Sequence, residues 1–543
     1  MAENQKYVLK DELLKLDETM VGDNSLLGMS MLTIPQYNNS MRSVMFTSHL
    51  KQFVDLDKPD FPGVFTNGEN VVGKHSSGYM KTKHDTTVFK KIEKYGDIVP
   101  DPFVYTLFVF DEKKKEYDVI ERKDSENLTE VFGFSYNNEV IDDLSEGDFI
   151  EKDTIIYRSN SYDEDMNYGY GLNVPMMYTT DSFSYEDACI VDTWLADRMR
   201  SIEINDVPIG QNHNDFLLNM YGDSEHYKCI PDLGEYSNGE VAVKRTLTKE
   251  QLLTDFKDSS LSTIFDSDTC YYKSGKVIDI QIYCNNPDLE ETPFNEQIIK
   301  YLRSQNKYYE EIKETCEEIM ESGAKYTHRL DSLYKRACEF TNEETKWKDN
   351  NSVFSNLYIV ITLKNSVPLQ IGQKITGRYG NKSVISQIRD VSEMPYYYDD
   401  NGNKVVIHLL KNILEIINRT TGFPIYEITS NFIANKIRAK MKSLKTHRER
   451  EKLLFEFIND YNPKQCAEMK AVYNKLDKKE KQEYIDSAMD ERIYMNQEPM
   501  KESEPIFFRL AKIYDKYDFL TPYDIYINKW GREIKTLNTA YVG

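Results

Sequence analysis

The hydrophobic pattern changes character along this chain, and this change limits the fold more than any other feature. Between residues 100 and 285, short apolar runs such as 104–110 are separated by Gly, Asn, Asp and Pro, which is typical of short strands. From Thr292 to Ile319 apolar residues recur at helical spacing, and Gly323 separates them from a second periodic stretch at 330–338. The pattern therefore predicts an antiparallel helical hairpin at 290–347, inserted into a β framework.

Strand-like and helical stretches continue to alternate towards the C-terminus. Residues 357–363 are apolar on both faces of an expected strand, so we expect this strand to be buried. Residues 428–500 are highly charged and have helical spacing, whereas 523–542 again have strand character. The predicted class is therefore α+β, with several strand-rich parts and helical insertions.

The composition excludes several classes of protein. With 543 residues, of which 40% are hydrophobic, the chain is long enough for about two to four folded domains. It has no run of about 18 apolar residues, so we expect no membrane-spanning segment and no membrane partner. The cysteines form no Cys-x-x-Cys pair, which argues against a disulfide framework or a zinc site. We expect buried free thiols in a reducing compartment at Cys189, Cys229, Cys270, Cys284, Cys316, Cys338 and Cys466.

The net charge of −22 by itself argues against nucleic-acid binding, because phosphate contacts need Lys and Arg. A local group of cations can nevertheless bind phosphate on an acidic chain. Residues 372–382 contain three glycines and three cations within eleven residues. Glycines permit positive φ and close approach of a ligand, and Lys374 and Lys382 place compact charges on either side of the turn. The order of Gly, Lys and Ser/Thr differs from a Walker A loop, and an ordinary glycine-rich turn with solvated lysines is the alternative.

The same segment resembles the motif G-D-K-x-x-G-R-H-G-N-K-G of the β subunit of multisubunit DNA-directed RNA polymerases. Gln373, Tyr379 and Ser383 depart from the motif, and the matching positions are Gly372, Lys374, Gly377, Arg378, Gly380, Asn381 and Lys382. The resemblance implies that Lys374 and Lys382 are catalytic-site residues, which contact phosphates near the growing RNA 3′ end from a double-psi β-barrel. It also implies that Arg378 contacts nucleotide or RNA.

A second segment with this resemblance lies upstream. Residues 171–174 and 178–190 are similar to the family pattern G-x-N, a hydrophobic strand, and N-F/Y-E-D-A-I. The pattern implies that Glu186 and Asp187 lie at the catalytic site, with Asp187 near the second Mg²⁺.

A third segment, residues 38–52, is similar to D-D-A-N-R-A-L-M-G-S-N-M-Q-R-Q and matches at Arg42, Met45 and Gln52. In the family this arginine faces the nucleotide site and this glutamine faces RNA. The alternative is an ordinary amphipathic helix that packs one face into the core, formed by Met41, Val44, Met45 and Ser48.

Weaker matches keep the same order along the chain. Residues 256–261 and 275–282 resemble V-K-D-S-S-L and G-T-V-I-D-V-Q-V-F, and 394–402 resembles M-P-Y-D-E-N-G. Residues 418–422 are similar to S-R-M-N-I-G, which implies that Arg419 touches nucleotide phosphates, although the preceding N-P-L-G-V-P is not preserved. Together the matches cover roughly residues 28–430 without inversion.

The resemblance implies the C-terminal half of a β subunit, with a double-psi β-barrel, a flap- or wall-like β insertion and the inserted helical hairpin. The expected parts are 1–55 near the nucleotide site, 56–200 contributing barrel strands, 201–289 the flap- or wall-like region, 290–350 the hairpin, 351–430 the second barrel part with the lysines, and 431–543 a charged helical region with a final β piece.

The cofactor that the resemblance implies is Mg²⁺. The family holds it mainly with N-A-D-F-D-G-D on the β′ subunit, a sequence with no counterpart here, so we expect no metal held by this chain alone. The implied partners are a β N-terminal chain, β′ N- and C-terminal chains, a promoter-specificity subunit, template DNA, RNA and NTPs. Because the chain has about half the length of a cellular β subunit, we expect a split-subunit polymerase of a giant bacteriophage, located in the cytoplasm of the infected host cell or in the virion.

Two other functions compete with this prediction. One is a non-catalytic structural or scaffold protein derived from a polymerase fragment, which loss of Lys374 or Lys382 would have favoured. The other is a two-carboxylate hydrolase that uses Glu186 and Asp187. Adjacent residues on one strand point to opposite faces, so they form a poor catalytic pair.

Overall fold

The computed structural model describes residues 30–33, 38–50, 52–66, 68–74, 78–99, 104–127, 132–247, 267–286, 288–342, 344–349, 352–497 and 505–543. These residues form two compact units, each built from separate stretches of the chain. The first unit comprises Met1–Ser76, Ser161–Ser201 and Pro368–Gly543, and the second comprises Ser77–Asn160 and Ile202–Val367. The predicted family match at 256–261 lies outside the described residues.

A mixed five-stranded sheet organises the first unit. Its strands lie in the order Met176–Tyr178, Leu409–Lys411, Ala188–Asp192, Ser383–Arg389 and Lys374–Ile375. Ala188–Asp192 pairs in parallel with Ser383–Arg389 and antiparallel with Leu409–Lys411. Parallel neighbours need long connections, so this sheet joins residues that are far apart in sequence.

Smaller sheets complete the β structure of this unit. Val64–Phe65 pairs in parallel with Met495–Asn496. A four-stranded sheet has the order Lys404–Val406, Tyr396–Tyr398, Tyr523–Lys529 and Arg532–Ala540. The last two strands confirm the predicted β piece at 523–542.

The charged stretch predicted to be helical forms four successive helices: Phe423–Ser443, His447–Tyr461, Pro463–Tyr473 and Lys478–Asp490. Capping residues explain the breaks, because Thr446, Asn462 and Asp477 each accept hydrogen bonds from the first turn of the helix that follows. The unit also contains Ser40–Leu50, Gly68–Lys74, Thr193–Arg198, Leu414–Arg419, Ile506–Lys516 and a 3₁₀ turn at Val391–Glu393. The four successive helices share one core with Ser40–Leu50 and Ile506–Lys516, and this core includes Phe432, Ile437, Phe457 and Ile458.

The second unit contains a nine-stranded sheet. Eight strands follow the order Asp215–Leu217, Tyr236–Thr246, Ser267–Cys284, Leu357–Val367, Ser201–Gln211, Phe132–Asn137, Ile155–Ser159 and Tyr79–Lys81, and Ser125–Asn127 pairs with Phe132–Asn137. A five-stranded sheet has the order Lys325–Tyr326, Glu116–Glu121, Tyr105–Asp111, Thr86–Glu93 and Phe149–Ile150, and Lys348–Asp349 pairs with Ser352–Val353. A short helix, Glu139–Asp142, lies between strands.

The predicted helical hairpin is present in the second unit as Glu296–Glu321 and His328–Thr341. Gly323, at φ +71, lies in the connection, and Thr327 caps the second helix by accepting from the Leu330 N–H. Ile312, Cys316 and Ile319 repeat at helical spacing and are buried.

The α+β class is confirmed, whereas two finer expectations are wrong. The strand Leu357–Val367 buries only alternate side chains, because one face lies on the core and the other is half-buried. All seven cysteines are free, but Cys270 is exposed and Cys284 and Cys338 are only partly buried. In the part of the chain that the structure describes, no helix is both long and apolar enough to cross a membrane.

Candidate functional site

The glycine-rich segment 372–382 lies against the helix Ser40–Leu50. Gly380 has φ +72, and a Cβ at this residue would lie 2.7 Å from the Arg42 carbonyl oxygen. A Cβ at Gly377 would lie 2.7 Å from Asn381 Oδ1, which accepts a hydrogen bond from the Gly377 N–H at 3.1 Å. Gly380 is therefore required by close approach to backbone and by its own conformation, whereas a Cβ at Gly377 would displace the Asn381 side chain.

Side chains connect the same two segments. Arg42 Nη1 donates to the Gly380 carbonyl oxygen at 3.3 Å, and Lys382 Nζ donates to Gln52 Oε1 at 3.0 Å. His49 Nδ1 lies 3.4 Å from Thr376 Oγ1. Arg42 and Gln52 from one predicted motif and Lys382 from another thus lie at one junction.

Arg419 joins this junction from the helix Leu414–Arg419. Its guanidinium forms an ion pair with Asp187, and the Asp187 carbonyl oxygen accepts a hydrogen bond from the Val384 N–H at 2.8 Å. Glu186 has φ +48 and is exposed in the turn before the strand Ala188–Asp192. Glu186 and Asp187 therefore do not lie on a strand, and the reason given above for their poor pairing is wrong.

The charges of these residues interact. Burial lowers the pKa of Arg42, and Arg419 lowers it further, whereas Asp187 and Glu415 act in the opposite direction. Burial also lowers the pKa of His49, and Lys382, Arg42 and Arg419 reinforce this shift. We call Arg42, His49, Lys382 and Arg419 the cationic cluster.

His49 was not predicted from the sequence. It follows Arg42 by seven residues, which is two helical turns, so the spacing alone would have placed both side chains on one face of the helix.

Two buried ionisable side chains, Glu415 and Lys411, support the backbone next to the cationic cluster. Glu415 is 2% exposed and accepts hydrogen bonds from Lys411 Nζ at 3.2 Å and Ser383 Oγ at 3.3 Å. Lys411 is 3% exposed and also donates to the Asn381 carbonyl oxygen at 3.2 Å. The sequence prediction missed both residues, because their ion pair joins the end of a strand to the first turn of a helix.

Arg378 lies in the interior and not in the cationic cluster. Its side chain is 6% exposed, pairs with Glu69 and Glu427 at 3.1 and 2.5 Å, and donates to the Val64 carbonyl oxygen at 2.5 Å. Because these contacts occupy the guanidinium, the position of Arg378 indicates that it anchors the turn. The neighbouring Tyr379 is also buried, with its hydroxyl 2.5 Å from Thr33 Oγ1.

Lys374 is exposed, and no side-chain partner for it is found among the described residues. In the antiparallel pairing Lys374 lies directly opposite Val384. Lys382, two residues before Val384, is therefore diagonally across from Lys374. Its position is compatible with a ligand contact from the same hairpin.

The helix Ser40–Leu50 packs a different face into the core from the one that the amphipathic alternative expects. Its buried residues are Ser43, Phe46 and Thr47, whereas Met41 and Val44 are 64% and 57% exposed. The core face predicted for residues 38–52 is therefore wrong, and the helix packs through Phe46 and Leu50 instead.

The implied Mg²⁺ does not fit the carboxylates of this chain alone. Asp187 is paired with Arg419, Glu186 is its exposed neighbour, and the described ranges contain no group of three or more His, Cys, Asp or Glu that could hold a metal. We therefore assign no metal-dependent step to these residues.

Comparison with known proteins identifies a matching family. The family model "RNA polymerase Rpb2, domain 6" matches residues 150–484, which is more than half of the chain. The DNA-directed RNA polymerase subunit beta of Mycoplasma genitalium is 23% identical over 481 residues, covering 86% of this chain and 31% of that protein. The corresponding subunits of Oceanobacillus iheyensis and Ehrlichia ruminantium are 23% and 21% identical, covering 82% and 70% of this chain.

This chain spans about a third of the length of these relatives, whose matched shares are 31%, 34% and 32%. The predicted resemblance to a β-subunit region is confirmed, while the split-subunit phage type stays a prediction. The chain belongs to the RNA polymerase Rpb2 domain 6 family.

Proposed function

We propose that this chain is the part of a multisubunit DNA-directed RNA polymerase β subunit that binds phosphate groups where RNA is made. The observation that carries the proposal is the convergence of Arg42, Lys382 and Arg419 from three separate segments into one cationic cluster. Like charges repel, so a protein gathers them without equal countercharge mainly where an anionic ligand supplies it.

Each cation of the cluster suits a particular contact. A guanidinium carries five N–H donors, so Arg42 and Arg419 retain donors for phosphate oxygens after contacting Gly380 and Asp187. Lys382 presents a compact ammonium whose position is set by Gln52. Arginines near the incoming triphosphate and lysines near the RNA 3′ end are the roles that we assign, with Lys374 as the second lysine.

The chemical contribution is electrostatic. Phosphoryl transfer depends on positioning and on stabilising negative charge that develops on the transferring group. The cluster is held in place before a ligand arrives by Glu415, Lys411 and the anchored Arg378. Prearranged charges of this kind stabilise a transition state without reorganisation during the reaction.

The proposal includes the assembly around this chain. Catalytic metal ions and the remaining β and β′ segments would come from partner chains, with template DNA, RNA and NTPs as ligands. We also propose that the sheet containing Ala188–Asp192 and Ser383–Arg389 belongs to a double-psi β-barrel, and that the enzyme works in the cytoplasm of a phage-infected cell.

The test measures RNA synthesis on a primed template by the enzyme assembled with its co-purifying chains. We expect Lys382→Ala to slow nucleotide addition about 30- to 1000-fold, corresponding to a loss of about 2–4 kcal/mol of transition-state stabilisation. Arg42→Ala is expected to raise the apparent KM for NTPs while assembly stays intact. The matched controls are Lys445→Ala and Arg448→Ala, which alter exposed cations outside the cluster and should leave both quantities unchanged.

Unimpaired RNA synthesis by the double variant Lys374→Ala, Lys382→Ala would end this proposal and favour the scaffold alternative. Arg42 would be shown to be structural if Arg42→Ala prevented assembly while the fraction that still assembles kept an unchanged dependence on nucleotide concentration.

A further inference from the structure

His49 occupies an unusual position for an ionisable ring. It lies in the last turn of the helix Ser40–Leu50, partly buried, with Nδ1 3.4 Å from Thr376 Oγ1 on the glycine-rich segment. The family motif that residues 38–52 resemble has methionine at this position. Neither the motif nor the resemblance therefore assigns a role to His49.

The charged groups that face His49 come from three parts of the fold. Arg42 lies two turns earlier on the same helix, Lys382 lies on the glycine-rich segment, and Arg419 ends the helix Leu414–Arg419. The nearby carboxylates are Asp187, which pairs with Arg419, and Glu415, and both act on Arg42. The ring thus lies within the cluster and is surrounded mainly by positive charge.

This environment favours a neutral imidazole while the cluster has no ligand. Burial lowers the pKa of His49 below its ordinary value of 6.5, and the three cations add to the shift. A helix C-terminus by itself favours an imidazolium, so the surrounding cations oppose the preference of the helix position. A polyphosphate bound to those cations would remove their repulsion and supply negative charge next to the ring.

We infer that His49 is a further phosphate-binding residue of the cationic cluster, and that it takes up a proton when a polyphosphate binds. The inference rests on the proposed function and deepens it, because it makes ligand binding and proton uptake parts of one event at His49.

The direction of the pH dependence follows from linkage. If the ligand raises the pKa of His49, binding is tightest below the pKa of the free state and weakens as the pH rises through that of the bound state. Each unit of difference between the two values changes the affinity about tenfold across this range.

The experiment titrates inorganic tripolyphosphate into the full chain, in the complex in which it purifies, by isothermal calorimetry. Heats measured in two buffers with different ionisation enthalpies give the number of protons taken up per anion, between about pH 6 and 8. Tripolyphosphate also titrates in this range, so the readout is the difference between the wild type and His49→Met, with His49→Gln as a second variant. Both variants remove the titratable group and keep a side chain of similar length.

We expect the wild type to take up more protons than either variant. We also expect His49→Met to weaken binding about tenfold or more near pH 6, and less than about twofold near pH 8. The role of His49 would be overturned if a variant that binds tripolyphosphate showed the same proton uptake and the same pH dependence of binding as the wild type. The proposed function would then still stand. No binding of tripolyphosphate by the wild type at any pH would overturn both.

Discussion

Gly380→Ala tests whether the close approach of the helix Ser40–Leu50 to the glycine-rich segment builds the site. The substitution has two separate effects. Gly380 has φ +72, a conformation that costs an L-residue about 1–2 kcal/mol. In addition, the new Cβ would lie 2.7 Å from the Arg42 carbonyl oxygen, which is backbone and cannot rotate away.

The second effect sets the magnitude for activity. To reach an ordinary contact of 3.4 Å from 2.7 Å, the two segments must separate by about 0.7 Å, and Arg42 moves with the helix. A misplacement of about 1 Å in a reacting site costs about 100-fold in rate. We therefore expect Gly380→Ala to slow RNA synthesis by the assembled enzyme about 10- to 100-fold.

Gly402→Ala is the matched control. Gly402 has φ +81, so the conformational cost is similar, but no atom lies within 4 Å of its Cβ position, and it lies in the turn of the hairpin 396–406, which contributes no residue to the cationic cluster. Thermal unfolding should show the conformational cost in both variants and a larger destabilisation of Gly380→Ala, whereas RNA synthesis should fall only in Gly380→Ala. Equal activity of the two variants, at equal amounts of assembled enzyme, would refute the role of this close approach.

The remaining predictions concern stability. Arg378→Met leaves Glu69 buried without its cation and should lower the free energy of unfolding by about 3–5 kcal/mol in chemical denaturation, whereas Arg448→Met on the surface should cost less than about 0.5 kcal/mol. Burial raises the pKa of Asp55 from 3.8 to about 6, so its protonated form stabilises the fold. This contribution is complete below about pH 3.8 and is lost as the pH rises through about 6, and it amounts to at most about 3 kcal/mol. Asp55→Asn should flatten the pH dependence of unfolding in this window, and an unchanged profile would show that Asp55 ionises normally.

The sequence alone predicted those elements whose structure is determined by interactions between residues close together in the chain. Helical spacing predicted the hairpin Glu296–Glu321 and His328–Thr341, and the burial of Ile312 and Cys316 confirms the face that packs. The order of Gly and Lys in 372–382 likewise indicated a turn with positive φ, as found at Gly372 and Gly380.

The direction in which neighbouring side chains point was decided by tertiary structure. Arg378 and Lys382 belong to one short motif, yet Arg378 is buried against Glu69 and Glu427, while Lys382 joins the cationic cluster. Sequence spacing inside a tight turn does not specify which residue faces the core, because that depends on the partners that other segments bring.

The cationic cluster itself exists only through the fold. The motifs identified Arg42, Lys382 and Arg419 by residue type, but electrostatic interaction depends on distance, and these residues are far apart in sequence. The parallel pairing of Ala188–Asp192 with Ser383–Arg389 and the approach of Arg42 to Gly380 bring them together. His49 acquires its shifted pKa from the same approach, so residue types followed from the sequence, whereas their mutual distances and charge states were decided by the tertiary structure.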